Sequence, residues 1–288
     1  MENQTIDTAY LEQFIQNALL EDLSNTGDQS TLACIDPNTQ GTAILKVKEK
    51  GILAGVQIAK HIFQHIEPKA QFQSLMLDGQ AMNIGDQAFE VQASVHTILK
   101  AERLVLNTMQ RMSGIASLTH EYVELLKPYQ TKILDTRKTT PLFRYFEKLA
   151  VKIGGAMNHR MGLYDMIMLK DNHIDYCGGI QKAILKTNEY LKKNQLALAI
   201  EVETRTIDDV KKVLEVGGVQ RIMLDNFSPE DATEAVKLIN GQYETEASGG
   251  INKDTITKYA AVGVDYISVG ALIHHAVSLD LSLKAQIV

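Results

Sequence analysis

The first 112 residues combine helical and extended hydrophobic patterns. Residues 8 to 22 carry apolar side chains at helical spacing, whereas residues 42 to 48 alternate between apolar and other positions as a strand does. Further elements are expected in the same region: a helix through 58–63 and strands at 70–77 and 88–95. The pattern indicates an α+β unit.

A long helical stretch follows at 97–126, with Ser113-Gly114 as a candidate break. We place the domain boundary there, between an N-terminal domain of residues 1–112 and a catalytic domain of residues 113–288.

Beyond the boundary, short β-prone segments alternate with helical ones, a pattern typical of parallel strands joined by crossover helices. Each segment ends in polar residues or glycine, and six strands that deliver such residues to one edge favour a barrel over an open sheet. The predicted strands are 132–135, 166–169, 197–202, 220–224, 243–247 and 265–269.

The composition of the chain excludes several classes of protein. The chain is 45% hydrophobic and 22% charged, with a net charge of −6 that argues against an extended nucleic-acid surface. Only two cysteines occur, without metal-site spacing, and no long apolar run or basic leader is evident. We therefore expect a cytoplasmic protein with neither nucleic-acid nor membrane partners.

One segment departs from the acidic average. Residues 132–170 carry eight basic and three acidic side chains, a local charge of +5. Charge alone favours a solvated surface, but a small, strongly anionic ligand would also suit this basic segment.

Two glycine-containing loops follow the last two predicted strands. In a barrel these loops are a common phosphate site, where backbone N–H groups ahead of a helix face the anion. Most glycine pairs are simple turns, so the prediction of a phosphate site rests on the position of these loops after the last two strands. The candidate phosphate residues are Ser248, Gly249, Gly250, Ser268 and Gly270.

Carboxylates end two neighbouring strands, as Glu201 and Glu203 on one and Asp225 on the next. Oxygen ligands of this kind suit Mg²⁺, which proteins often hold through one or two carboxylates and substrate phosphates. The alternative is a structural ring of ion pairs across the barrel mouth.

The densest group of candidate residues lies between Gly154 and His173. Arg160, like Arg137 upstream, could grip a carboxylate with two parallel hydrogen bonds, and Lys170 would add a point charge. These cations would therefore suit a ligand with two adjacent carboxylates. His159 could instead be a structural histidine, and Lys170 a Schiff-base lysine of a barrel lyase.

These residues resemble the quinolinate phosphoribosyltransferase family, and the resemblance extends over most of the chain. The segments that carry it are Glu21-Asp22, Gly27-Asp28, AERLVLNTMQRMSGIAS (101–117), DTRKTTP (135–141), GGAMNHRMGLYDMIMLKDNH (154–173), EVE (201–203), IMLDNF (222–227), EASGGI (246–251) and VDYISVGAL (264–272).

The resemblance implies an α/β fold class: an N-terminal α/β sandwich and an incomplete, six- or seven-stranded α/β barrel of the type II phosphoribosyltransferase kind. It also implies a head-to-tail homodimer, in which the N-terminal domain of one subunit covers the barrel mouth of the other. Further assembly into hexamers stays open.

The resemblance also implies roles for individual residues. Arg137, His159, Arg160 and Lys170 would bind the quinolinate carboxylates, with Arg103 supplied by the partner subunit. Lys138 would lie beside phosphoribosyl pyrophosphate, and the 5′-phosphate would occupy the loops of Ser248, Gly249, Gly250 and Gly270. Glu201 and Asp225 would engage the ribose hydroxyls and Mg²⁺. We accordingly expect Lys138, Lys170, Glu201 and Asp225 to be the catalytic residues.

The implied reaction joins quinolinate to phosphoribosyl pyrophosphate with decarboxylation, a glycosyl transfer that yields nicotinate mononucleotide for NAD biosynthesis. Three rivals are a transferase for nicotinate or another anion, the Schiff-base lyase, and a non-catalytic phosphate-binding barrel.

Three segments depart from the family pattern. Leu142-Phe143 stands where Gly-Leu is commoner, Ala156 replaces a glycine, and Ile273-His274-His275 replaces Thr-His-Ser. The first two lie near substrate loops, and we expect the third to touch no catalytic residue.

Overall fold

The computed structural model describes residues 8–286 and divides them into two compact units. The first unit consists of residues 8–117 together with 277–286, and the second of residues 118–276. The division lies within one continuous helix, a few residues beyond the boundary placed at 112/113. Among the described residues, no helix combines the length and the apolar character needed to cross a membrane.

The first unit is built on a four-stranded antiparallel sheet. Its helices are α1 (Thr8–Leu23), α2 (Gln29–Cys34), α3 (Val56–Ile66) and α4 (Val95–Leu126), the last of which continues into the second unit. Its strands are β1 (Gln40–Val47), β2 (Gly51–Ile52), β3 (Gln71–Ser74), β4 (Ala81–Met82) and β5 (Gln87–Ser94), together with a strand at Leu281–Gln286 that is numbered last, as β12.

The sheet order is β12-β1-β5-β3, and β2 pairs separately with β4. Three buried or half-buried aromatic rings, Phe63, Phe72 and Phe89, pack together beside this sheet, with centroids 4.5 to 6.1 Å apart. Asp78, which marked a turn in the sequence, caps α3: its carboxylate accepts the N–H of Val56 at 2.8 Å.

The second unit alternates strands and helices, as its sequence pattern predicts. Its strands are β6 (Lys132–Leu134), β7 (Ile167–Leu169), β8 (Ile200–Thr204), β9 (Arg221–Asp225), β10 (Glu244–Ser248) and β11 (Tyr266–Ser268). Its helices are α5 (Arg144–Ile153), α6 (Asp171–Cys177), α7 (Ile180–Asn194), α8 (Ile207–Val216), α9 (Pro229–Ile239), α10 (Ile256–Val262) and α11 (Ala271–His274).

All six strands are parallel, in the order β6-β11-β10-β9-β8-β7. The expected α/β fold class with six strands is confirmed. Among the described residues β6 and β7 form no ladder with each other, and a single bridge joins Leu134 to Met157 after β6, so the barrel is incomplete. Because the strands are parallel, their carboxyl ends form one rim.

Helix starts in this unit carry the expected capping residues. Thr206 accepts the Asp209 N–H ahead of α8, and Ser228 accepts the Asp231 N–H ahead of α9, where Pro229 takes the first helical position. These caps set where each crossover helix begins, and so where the preceding strand delivers its last side chains.

Candidate active site

A cavity of about 880 Å³ opens at the strand carboxyl ends of the second unit. The cavity brings together most of the residues singled out in the sequence, which come from the ends of five strands and from the loop after Met157. The predicted residues that line it are Arg137, Lys138, His159, Arg160, Lys170, Asp225, Ser248, Gly249, Gly250, Ser268 and Gly270.

Two predicted residues do not line this cavity. Arg103 lies on α4 within the first unit, where its side chain is exposed. Glu201 is fully buried beneath the rim, because it lies two residues before Glu203 on the same face of β8.

The loop after β6 carries two cations of the cavity, Arg137 and Lys138. Among the described residues, the buried Nε of Arg137 donates to no protein group. A buried donor without a partner is costly unless a ligand or water completes it. Arg137 is therefore prepared to donate to a bound anion.

Helix α5 holds this loop in place through the buried Glu147. One carboxylate oxygen of Glu147 accepts the Thr140 N–H at 2.8 Å, and the other accepts the Thr140 hydroxyl at 3.0 Å. Arg144 donates to the Thr139 hydroxyl and to the Met161 carbonyl, so the same helix joins two loops of the site.

The next residue of α5, Lys148, holds the loop that bears His159. Its buried ammonium donates to Asp135 and to the His159 carbonyl, while Asp135 also accepts the His159 N–H at 2.8 Å. Asn158 donates to the second Asp135 oxygen at 2.6 Å. Burial raises the pKa of Asp135 and lowers that of Lys148. The sequence interpretation assigned no role to Glu147 or Lys148, because their partners lie in loops outside α5.

Lys170 directly follows β7 at the cavity and pairs with Glu203 at 2.8 Å. The Lys170 side chain is about half exposed, whereas Glu203 is buried. An ammonium at the cavity edge suits the binding of an anion, which is the role predicted for Lys170. The sequence analysis noted Glu203 as a carboxylate at a strand end but assigned it no individual role.

His159 lies in the cavity wall, where Nδ1 is hydrogen-bonded and Nε2 lies at ion-pair distance from two carboxylates without a well-aligned hydrogen bond to either. Nε2 is 2.9 Å from Glu201 Oε2 and 3.3 Å from Glu246 Oε2, and Nδ1 accepts the Arg160 N–H at 2.7 Å. An accepting Nδ1 places the ring proton on Nε2, between the two carboxylates.

Proton affinities within this buried group reflect the same arrangement. Burial opposes protonation of the His159 ring, whereas the neighbouring Glu201 and Glu246 favour it and raise the pKa of His159 above its ordinary value. Burial and the neighbouring Glu246 raise the pKa of Glu201 to about 7. The ligand atoms of the three residues lie within 4.8 Å of one another, a spacing that could suit a metal ion. The proton on Nε2 argues against that use.

The glycine loop after β10 is shaped by Asn226. Gly249 has φ +98°, and a Cβ built there would lie 2.2 Å from Asn226 Oδ1, so glycine is required on two counts. Asn226 also donates to the Asp225 carboxylate at 2.7 Å. This close approach joins the predicted phosphate loop to the predicted metal ligand.

The helices behind these loops are short or distant. Helix α10 begins only at Ile256, and α11 has four residues. The loop amides, rather than a long helix, are therefore the groups available to a phosphate.

The histidines of the third departure lie in this site, which corrects the expectation that they touch no catalytic residue. His274 and His275 both line the cavity. A Cβ at Gly270 would lie 3.1 Å from both His274 and Lys138, and burial, then the charges of His275 and Lys138, lower the pKa of His274. Chain order concealed this proximity, because β6 and β11 are adjacent only in the folded sheet.

Comparisons with known proteins agree with this arrangement. Residues 28–113 match the N-terminal domain, and residues 115–284 the C-terminal domain, of quinolinate phosphoribosyl transferase. The chain is 45% identical over 288 residues to a quinolinate phosphoribosyltransferase [decarboxylating] of Nicotiana glauca, covering 95% of this chain and 82% of that protein. It is 39% identical to a probable nicotinate-nucleotide pyrophosphorylase [carboxylating] of Synechocystis, covering 95% and 92%.

Among solved structures, NadC from Streptococcus pyogenes superposes with a TM-score of 0.91 at 39% identity, covering 98% of each chain. Human nicotinic acid phosphoribosyltransferase gives a TM-score of 0.62 at 10% identity, covering 94% of this chain and 73% of that one, a likeness of fold alone. With both domains matched across nearly the whole sequence, the chain belongs to the quinolinate phosphoribosyltransferase family.

Proposed function

We infer that this protein transfers the phosphoribosyl group of phosphoribosyl pyrophosphate to quinolinate with loss of carbon dioxide, and so makes nicotinate mononucleotide for NAD biosynthesis. The observation that carries this function is the set of cations Arg137, Arg160 and Lys170 in the cavity that the glycine loops also line. Two adjacent carboxylates on a small ring match the cations, and a sugar phosphate matches the loops.

The arginines are suited to select a dicarboxylate. Arg137 has a buried donor to offer, and Arg160 is oriented by a hydrogen bond from one guanidinium nitrogen to the Met166 carbonyl at 3.0 Å. Nicotinate has one carboxylate and would leave part of this charge unpaired, which disfavours it as an acceptor.

The reaction needs no nucleophile from the protein. The bond from the anomeric carbon to pyrophosphate breaks as the pyridine nitrogen bonds to that carbon. Carbon dioxide then leaves, the electron pair of the C2–carboxylate bond stays on C2 where the adjacent positive ring nitrogen stabilises it, and a proton from solvent adds to that pair. Lys138 disperses charge on the leaving pyrophosphate, and positioning of two bound substrates can lower such a barrier by ~7–11 kcal/mol.

We propose Mg²⁺ as the metal, with Asp225 of the cavity lining as one carboxylate and Glu203, the buried partner of Lys170, as a second. Asp225 lines the cavity and Glu203 pairs with the cavity lysine, a donor set that fits a cation held largely by substrate phosphate oxygens. Glu201, to which the sequence interpretation gave this role, is fully buried against His159 and fits it less well. Bound Mg²⁺ would neutralise charge on the departing pyrophosphate.

We propose a homodimer with shared active sites, in which Arg103 of one subunit serves the cavity of the other. The support is the exposed side chain of Arg103 on α4 and the family resemblance. An equimolar mixture of Arg103→Ala and Lys170→Ala subunits, each inactive alone, should recover up to about a quarter of the wild-type activity, because random pairing makes about half of the dimers mixed and each mixed dimer has one intact site of two. No recovery after confirmed subunit exchange would contradict the shared site.

For the compartment we propose the cytoplasm, because both cysteines, Cys34 and Cys177, are free. Several plant relatives carry mitochondrial or chloroplastic in their names, so location differs within the family. Cell fractionation with an antibody to the protein tests this proposal.

The decisive assay incubates the purified protein with phosphoribosyl pyrophosphate and Mg²⁺ and either quinolinate or nicotinate. We expect equal amounts of nicotinate mononucleotide and carbon dioxide from quinolinate and little turnover of nicotinate. Turnover of nicotinate alone, or of neither acid, would overturn the proposed function. Chelation of Mg²⁺ should abolish turnover, and activity that survives it would remove the metal from the proposal.

A further inference from the structure

The interior of the second unit contains a column of charged side chains along β9 and β10. It starts at Glu244, whose side chain is about half exposed at the amino end of β10, and passes through Arg221 to the fully buried Glu246. Arg221 donates to Glu244 at 2.9 and 3.1 Å and to Glu246 at 3.0 Å. The column ends at His159, 3.3 Å from Glu246.

Arg221 is held on more than one side. Its guanidinium carbon lies 4.1 Å from the centroid of the Tyr266 ring, and the Tyr266 hydroxyl donates to Glu244 at 3.2 Å. Cation–π stacking and two carboxylates restrict the guanidinium to one orientation. Arg221 therefore fixes the position of Glu246, the only charged residue of β10 that lines the cavity among the described residues.

The top of the column acts on His159 through one nitrogen, and His159 acts on Arg160 through the other. Rotating the ring toward a ligand would break the contacts of Nε2 with Glu201 and Glu246 and the hydrogen bond from the Arg160 N–H. The ring is thus held by a hydrogen bond at Nδ1 and by the proximity of two carboxylates at Nε2.

We infer that Glu246 and Arg221 are positioning residues for dicarboxylate binding, which hold the His159 ring and, through it, the backbone of Arg160. His159 on this view orients Arg160 in addition to lining the cavity. The identity of the dicarboxylate rests on the proposed function.

The column is hard to explain by stability alone. Buried ion pairs are often no more stabilising than apolar side chains of similar volume, and barrel interiors are commonly filled by branched aliphatic residues. A charged interior that ends on the backbone of a substrate-binding arginine is better explained by the site that it supports.

The test uses the full-length enzyme with both charges of one pair removed, as Arg221→Gln with Glu246→Gln, so that no buried charge is left alone. We expect the KM for quinolinate to rise about 10-fold, equivalent to ~1.4 kcal/mol, with kcat and the KM for phosphoribosyl pyrophosphate changed less than about 2-fold. Arg221→Lys, which keeps the charge, should fall between the double variant and the wild type. Asp208→Asn, at an exposed helical ion pair with Lys212, is the matched control and should change nothing.

Amide hydrogen exchange of the Arg160 segment gives a readout that does not depend on turnover. In the double variant this segment should exchange about 10-fold faster while exchange of β8 and β9 stays unchanged. Normal exchange at Arg160, or a loss of kcat and melting temperature together with an unchanged quinolinate KM, would overturn the inference. Failure of the wild-type enzyme to use quinolinate, with the exchange result as expected, would instead count against the proposed function alone.

Discussion

The two units bury different kinds of side chain on their sheets. In the first, the fully buried rings of Phe63 and Phe89 pack beside the antiparallel sheet. In the second, Glu201 and Glu246 are equally buried, on the face of the strands that is turned toward His159. Side chains alternate between the two faces of a strand, so one sheet can bury charged residues on one face and apolar residues on the other. In β8 and β9 the alternate positions carry Val202, Ile222 and Leu224, which are buried and apolar. One face of this sheet therefore contributes apolar packing, and the opposite face carries the charged side chains near His159.

The largest effect is expected in the aromatic core of the first unit. Phe89→Ala should lower the free energy of unfolding by ~3–5 kcal/mol, because a large cavity would remain beside Phe63 and Phe72. Denaturant unfolding checks this value. Leu75→Ala, at an exposed leucine next to β3, is the control and should cost under about 0.5 kcal/mol. A similar loss from both variants would mean that the aromatic cluster is not the core of this unit.

A smaller, pH-dependent effect is expected from the charged interior of the second unit. Because burial and Glu246 raise the pKa of Glu201 from 4.5 to about 7, the folded state holds this proton more tightly than the unfolded state does. The associated stability is present below pH 4.5 and is lost as pH rises toward 7, with a slope of at most about 1.4 kcal/mol per pH unit.

Glu201→Gln imitates the protonated form and should reduce this slope without a large loss of stability at pH 5. Unfolding curves at several pH values measure it, with Glu215→Gln at an exposed carboxylate as the control. An unchanged slope in Glu201→Gln would show that the proton is held elsewhere in the group.

The smallest effect concerns one strained loop residue. Leu142 is exposed and has φ +60°, a left-handed conformation that L-residues with a side chain adopt at a cost. Leu142→Gly should therefore raise stability by ~0.5–1 kcal/mol with little change in kcat. Leu163→Gly, at another exposed loop leucine outside the left-handed region, should lower stability slightly. Thermal melts of both variants distinguish relief of strain from a general effect of glycine.

Periodicity was sufficient to predict the six parallel strands, because their buried apolar runs end in polar residues at the rim. It was wrong about the break at Ser113-Gly114, since α4 continues unbroken through it. Gly114 is needed for close packing instead: a Cβ there would lie 2.0 Å from the Val277 carbonyl oxygen, and Ser113 accepts the Ala54 N–H. Both contacts are with residues distant in sequence, which local pattern does not report.

The same limit applies to the site. Residue type and strand position identified the cavity cations and the glycine loops, because both lie at strand ends. Local pattern could not separate Glu201 from Glu203, which share a face of β8 and differ only in depth. The roles of Glu147 and Lys148 depend on loops folded over α5, and those hydrogen bonds have no signature in the helix itself.

The sheet of the first unit is completed by β12, which pairs with β1 from Thr42 to Val47. During synthesis on the ribosome, the entire second unit is made after β1 and before β12. The nascent chain must therefore carry an unpaired edge of β1 through most of translation, when such an edge is most open to wrong pairing with other chains. Changes near the carboxyl end of this chain should affect its yield in the cell before they affect its chemistry.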